Sequence, residues 1–106
     1  MSYQLVFSTF PDQATAEKIA KQLVTEKLAA CVNILPNLTS IYQWQGNIET
    51  ANEFLLMIKT PKAQYQAIEN WIRANHPYEL PEIIAVSIEH GLPEYMQWIN
   101  SCVSTK

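Results

Sequence analysis

Hydrophobic and polar positions change period several times along this chain, and each change marks an element. From Tyr3 to Thr9 the period is two: Leu5 and Phe7 fall on one side, Gln4, Val6 and Ser8 on the other, as in a strand. The period then becomes helical. Ala16, Ile19, Ala20, Leu23 and Val24 form one apolar stripe, flanked by Glu17 and Lys21 as an exposed pair one turn apart. Asp12 is placed to cap this helix by accepting from the free amides of its first turn, and the helix is expected to end near Lys27. Leu28 to Leu35 is a mostly apolar run holding Cys31, Val32 and Ile34, and reads as a second strand. Pro36 and Asn37 interrupt it and predict a bend or bulge. Extended character resumes over Ile41 to Gln45, with Tyr42 and Trp44 on one face. Gly46-Asn47 is a hairpin signal, and the return strand runs from Ile48 through Lys59. Thr60-Pro61 reads as a helix start, threonine capping and proline at the first helical position. Tyr65, Ile68, Trp71 and Ile72 supply that helix's stripe, and Asn75-His76-Pro77 ends it. Ile83 to Glu89 is a compact strand with Ile84, Val86 and Ile88 on one face. After Gly91, Tyr95, Trp98, Ile99 and Cys102 give a last short helical stripe.

The order is βαββαβ followed by a terminal helix. This is an α+β chain of the ferredoxin-like, split βαβ kind, expected as one domain over residues 1–106. Two helices cover only one face of such a sheet. The other face, carrying Val6 and Tyr42 or their alternates, needs a partner if it is apolar, and that favours an oligomer. Composition points the same way. Hydrophobic residues make up 48% of the chain and charged residues 16%, against a usual charged share of about 25%. A small domain has much surface for its volume, so low charge suggests that apolar surface is buried between subunits.

Seven Lys and Arg against ten Asp and Glu give a formal charge of −3, with the basic residues scattered from Lys18 to Lys106. No basic stripe exists to meet a phosphate backbone, which argues against nucleic acid as a partner. No apolar run approaches the roughly 20 residues of a membrane span. The opening Met-Ser-Tyr-Gln-Leu has neither a charged leader region nor a cleavage site, so a cytoplasmic protein is expected. Cys31 and Cys102 are far apart and form no CxxC pair, which fits reduced thiols. Enzyme motifs are missing. Gly46 and Gly91 are the two glycines, so there is no glycine-rich phosphate loop, and no GxSxG or HExxH occurs. A ferredoxin-like hydrolase of the acylphosphatase kind would want an arginine in an early loop, and the single arginine is Arg73, in the second helix. The expectation is a binding protein and no enzyme.

Five segments together carry a resemblance. Phe7-Ser8-Thr9-Phe10-Pro11-Asp12, Leu28-Ala29-Ala30-Cys31-Val32-Asn33, Ser40-Ile41-Tyr42-Gln43-Trp44-Gln45-Gly46, His76-Pro77-Tyr78-Glu79-Leu80-Pro81-Glu82 and His90-Gly91 resemble, in order and over nearly the whole chain, the signature segments of the CutA family. The resemblance implies a ferredoxin-like fold like that of the trimeric PII signalling proteins and a tight homotrimer with strands pairing across subunits. It also implies a cytoplasmic role in tolerance of copper and other divalent cations. Copper or another divalent cation is the implied ligand, with none required. Two other readings stay open: a PII-like module that binds a small metabolite in the subunit clefts, and a trimeric scaffold without a ligand.

Two groups of residues are candidates for chemistry. Copper(I) favours thiolate, thioether and imidazole, and Cys31, Cys102, His76, His90, Met57, Met96 and Met1 are the pool, without close spacing. Family proposals for copper ligation use a cysteine late in the first strand and a histidine pair before Pro-Tyr. Here those positions hold Ser8 and Asn75-His76, so His76 is what remains of that set. His76 and Cys31 are the metal candidates. Each has a plain alternative: helix-end hydrogen bonding for His76, core packing for Cys31. The second group is Tyr42, Trp44, Glu53, Lys59, Tyr78 and Glu82, expected at a cleft between subunits, with Glu79 beside them. Exposed aromatics are enriched where proteins bind partners. Charged Glu53 and Lys59 in an apolar strand must reach solvent or a counter-charge. Six residues apart, they share a strand face about 20 Å from each other and cannot pair within one subunit unless the strand bends.

Overall fold

The computed structural model describes residues 2–103. Its elements run β1 (Tyr3–Phe10), α1 (Gln13–Thr25), β2 (Cys31–Trp44), β3 (Asn47–Pro61), α2 (Tyr65–Asn75), β4 (Ile84–Ile88) and α3 (Pro93–Cys102). The strands form one antiparallel sheet in the order β2-β3-β1-β4. Among the described residues no helix is long and apolar enough to cross a membrane.

The expected start of α1 is present: Asp12 Oδ1 accepts from the Thr15 amide at 2.7 Å. Beyond the helix Lys27 turns left-handed at φ 61 and sends the chain into β2. Ala16, Ile19, Ala20 and Leu23 of α1 and Ile68 and Ile72 of α2 are buried against Val6, Phe10, Leu56 and Ile58 of the sheet. Register puts Val6, Ile58 and Ala85 in one row of this face. Val6 therefore belongs to the helix-covered core, not to the opposite face. The other face holds its alternates Leu5 and Phe7, in rows with Met57, Ile84 and Val86. Helix α3 covers one end of that second face, where Ile99, Val103 and Ala30 pack with Tyr3. Trp98, expected in the α3 stripe, is exposed, and Met96 packs against this cluster in its place.

Two local readings shift. Thr60-Pro61 starts no helix. Both residues end β3, a 3₁₀ turn follows over Lys62–Gln64, and Gln64 precedes α2 without a side-chain cap. The buried Thr60 hydroxyl instead donates to the Leu28 carbonyl at 2.7 Å, so tertiary burial outweighs the local capping pattern. The hairpin turn is Gln45-Gly46, one residue earlier than Gly46-Asn47, with φ of 51° and 84°. Positive φ at both central residues is the type I′ geometry that matches strand twist.

The interruption at Pro36 is a bulge: Leu35 pairs with Leu55, but Leu38 pairs with Glu53. Asn37 takes up the extra residue at φ 60. A one-residue insertion reverses which side chains point to which face. Without it Ile41 and Gln43 would share a side with Glu53. With it Ser40, Tyr42 and Trp44 do.

Candidate functional site

The hairpin outruns the rest of the sheet. β1 stops at Phe10, opposite Phe54, while β2 and β3 continue pairing to Trp44 and Asn47. The overhang forms one wall of a cleft. The other wall is the chain after α2, held in place by a series of contacts through His76.

Pro77 keeps His76 out of the helical region, and His76 caps α2 in extended conformation. Its ring stacks on Phe10 with centroids 4.2 Å apart. Nε2 lies 2.8 Å from the Thr9 carbonyl and must donate, since a carbonyl only accepts. Nδ1 accepts from the Tyr78 amide at 3.0 Å. Those two bonds define a neutral ring with its proton on Nε2, and burial lowers the His76 pKa in the same sense. The Tyr78 ring sits 4.9 Å from the imidazole, and its hydroxyl donates to Glu53 Oε2 at 2.7 Å.

The resulting cleft has a volume of about 680 Å³. Tyr42, Trp44, Ser40 and Glu53 line it from the hairpin, Tyr78, Leu80 and Glu82 from the loop. Among the described residues of this chain no lysine or arginine lines it. Glu53 is only 6% exposed. Burial and the Glu53 carboxylate hold the Tyr78 phenol well above its ordinary range. Desolvation, followed by repulsion from Glu53, raises the Glu82 pKa. The described lining is thus acidic and aromatic, with no positive side chain of the described residues set against its carboxylates.

Five of the six expected cleft residues come together: Tyr42, Trp44, Glu53, Tyr78 and Glu82. Lys59 does not join them. It stands at the far end of the same strand face, with its ammonium 3.5 Å from the Tyr95 hydroxyl and 5.7 Å from that ring's centre. The metal candidates are also apart. Cys31 is a half-buried free thiol opposite Lys59, which itself pairs with Leu5. Thr9, which holds His76, lies four residues along β1 from Leu5, a run of about 13 Å. His76 has both nitrogens engaged, so metal ligation there requires release of a backbone bond. Cys102 is a free thiol against the α3 cluster, and Met1 lies outside the described residues. Among the described residues no three His, Cys, Asp or Glu side chains gather as a metal site. Thr9, Phe10, Ser40 and Leu80 are site residues that sequence reasoning missed. Their signal is topological: the His76 ring bonds across 67 positions, which no local pattern carries.

Comparison with known proteins gives consistent matches. Residues 4–102 match the profile of the family described as "CutA1 divalent ion tolerance protein". The Xenopus laevis protein CutA homolog is 44% identical over 102 residues, 96% of this chain. The chain spans 68% of that relative's length, and 56% and 55% of the mouse and human CutA proteins. Among solved structures, CutA from Xylella fastidiosa aligns with a TM-score of 0.94 at 49% identity, covering 98% of this chain and all of that one. The periplasmic divalent cation tolerance protein CutA from Archaeoglobus fulgidus aligns with a TM-score of 0.93 at 40% identity, covering 96% of this chain and 99% of that one.

Proposed function

This chain belongs to the CutA1 divalent ion tolerance family, and on that premise we propose that it is a cytoplasmic, non-enzymatic binding protein acting in tolerance of copper and other divalent cations. It works as a homotrimer of ferredoxin-like subunits, and its ligand seat is the cleft between the β2–β3 hairpin and the loop after α2. The strand order β2-β3-β1-β4 with α1 and α2 on one face supports the ferredoxin-like assignment. The half-open apolar second face supports the trimer.

One observation carries the choice of site: a buried carboxylate, Glu53, is held in a preformed cleft by a neutral phenol, with no basic side chain on the lining among the described residues of this chain. Burying a carboxylate is costly unless a positive charge or several donors accompany it. A ligand that supplies what is missing gains affinity from the arrangement. Thermal unfolding with copper, zinc and magnesium salts, ATP, 2-oxo acids and small amines tests the site, because only a compound that binds the native state raises the midpoint. At least one should stabilise the protein and lose its effect in Glu53→Gln. If none does, or if Glu53→Gln responds as the parent does, the cleft is not the seat.

Direct copper binding has a separate locus. With His76 engaged through both nitrogens, the half-buried Cys31 thiol is the soft ligand left among the two metal candidates. Copper(I) titration of the reduced protein by calorimetry should therefore lose its heat in Cys31→Ser and keep it in His76→Ala. The opposite pattern would return the metal to the histidine.

A further inference from the structure

The chemistry of the cleft narrows what it can hold. A hard divalent ion collects six or more oxygen ligands around itself. Among the described residues the cleft offers no cluster of three potential metal-ligating side chains. Its volume of about 680 Å³ also leaves much more room than one ion fills. That size lies within the range of pockets for small molecules. An anion would meet Glu53 and Glu82 with no lysine or arginine of the described residues to compensate them. A neutral apolar molecule would leave the Glu53 carboxylate buried and its repulsion of Glu82 unrelieved. Tyr42, Trp44 and the apolar Leu80 line the walls of the cleft. Aromatic faces attract weakly hydrated cations such as ammonium and guanidinium groups.

We propose that this cleft is a receptor for a small organic cation, an alkylammonium or guanidinium compound, whose positive group meets Glu53 and Glu82 while its carbon skeleton lies against Trp44, Tyr42 and Leu80. The assignment rests on the cleft being the ligand seat and names the ligand class. Glu53 gives the charge contact its position, because the Tyr78 hydroxyl fixes one of its oxygens. Glu82, on the opposite wall, supplies a second negative group. A single cation between them relieves both the burial of one carboxylate and the repulsion between the two.

The experiment is calorimetric titration of the native protein, in its own oligomeric state, with n-butylammonium. Tetramethylammonium, n-butanol, butyrate and zinc ion serve as comparisons. Butylammonium should bind with saturation, and butanol and butyrate should not. Glu53→Gln keeps an acceptor for Tyr78 and removes the charge, so it should weaken butylammonium at least about tenfold, as expected for loss of a charge-assisted contact. Trp44→Leu should weaken tetramethylammonium, which cannot donate a hydrogen bond and depends on the aromatic wall. Equal binding of butylammonium and butanol, or an unchanged affinity in Glu53→Gln, overturns the organic-cation assignment. Zinc binding that needs Glu53, with no butylammonium binding, overturns this ligand class and leaves the cleft as the seat. If no probe binds in a Glu53-dependent way, both readings fall.

Discussion

At the scale of single residues, His76 and Ser8 show how differently two readings of one sequence can resolve. His76 was legible as a helix-end residue because Asn75-His76-Pro77 must stop a helix. Its ring partners were not, since the Thr9 carbonyl, the Tyr78 amide and the Phe10 face meet only after the sheet forms. The ring is held neutral, and burial lowers its pKa below the ordinary 6.5. The unfolded chain then binds more protons than the native one as pH falls below about 6.5. Stability from His76 is complete above that value, declines as pH drops toward the folded pKa, and levels out below it. Urea midpoints at fixed protein concentration between pH 5 and 8 should fall on the acid side for the parent. His76→Gln should show a smaller fall, and equal slopes would remove the linkage. Ser8 makes the opposite case. It is fully buried opposite Leu56, and its hydroxyl has no hydrogen-bond partner among the described residues. An unsatisfied buried hydroxyl costs roughly 1–3 kcal/mol, so Ser8→Ala should raise the urea midpoint by the equivalent of about 1 kcal/mol after some loss of packing. A lower midpoint would mean that the hydroxyl has a role in the native protein.

At the scale of elements, periodicity reveals most of the architecture and misses what a single inserted residue does. The stripes of α1 and α2 follow from burial on one side, while the period of β4 marks a row, Ile84 and Val86, that stays exposed in the single subunit. Burial reads out in the pattern because it acts every second or every third to fourth residue. Pro36-Asn37 announces a bulge but not its register. That register decides that Tyr42 and Trp44, and not Ile41 and Gln43, share a side with Glu53. Thr60-Pro61 misleads because a local capping pattern competes with a buried hydroxyl-to-carbonyl bond 32 residues away in sequence, and the buried bond prevails. The hairpin turn offers an element-scale test. Gly46 has φ of 84°, and a Cβ built there would meet nothing within 4 Å. Substitution should therefore act through backbone strain alone. Gly46→Ala should destabilise the hairpin by about 1 kcal/mol, while Gly46→Asn, which tolerates the left-handed region, should cost much less. Amide hydrogen exchange across the Trp44–Asn47 end of the ladder reads this directly: faster exchange in the alanine variant, little change in the asparagine variant. Equal effects of the two would place the cost in a lost contact.

At the scale of the whole molecule, the low charge and the sheet's second face have a common explanation. Helices α1 and α2 cover one face as far as the hairpin overhang, where Ile41 and Ile48 stay exposed, but α3 covers only an end of the other. Ile84 is 54% exposed and Val86 48%, on the same rows as Phe7 and Leu5. A continuous apolar surface of this kind on a small domain marks an interaction face, and the proposed homotrimer would bury it around its axis. Each isoleucine taken from water contributes roughly 1.5–3 kcal/mol, and symmetry repeats that contribution in every subunit. Ile84→Lys should therefore do far more than a surface substitution. It removes the apolar contact and places an ammonium where burial is expected, which is costly without a partner. Native mass spectrometry should show the parent as a trimer and Ile84→Lys mainly as monomer, while Gln66→Lys on the solvent side of α2 should leave the trimer intact. A monomeric parent would sink the trimer, and a trimeric Ile84→Lys would move the interface away from this face. The cleft adds a further constraint, because Glu53, Tyr42 and Trp44 lie on the same side of the sheet as Ile84. Any contact between subunits made by that face therefore borders the site. Dissociation should then weaken ligand binding as well as assembly, even though Ile84 lines no part of the cleft.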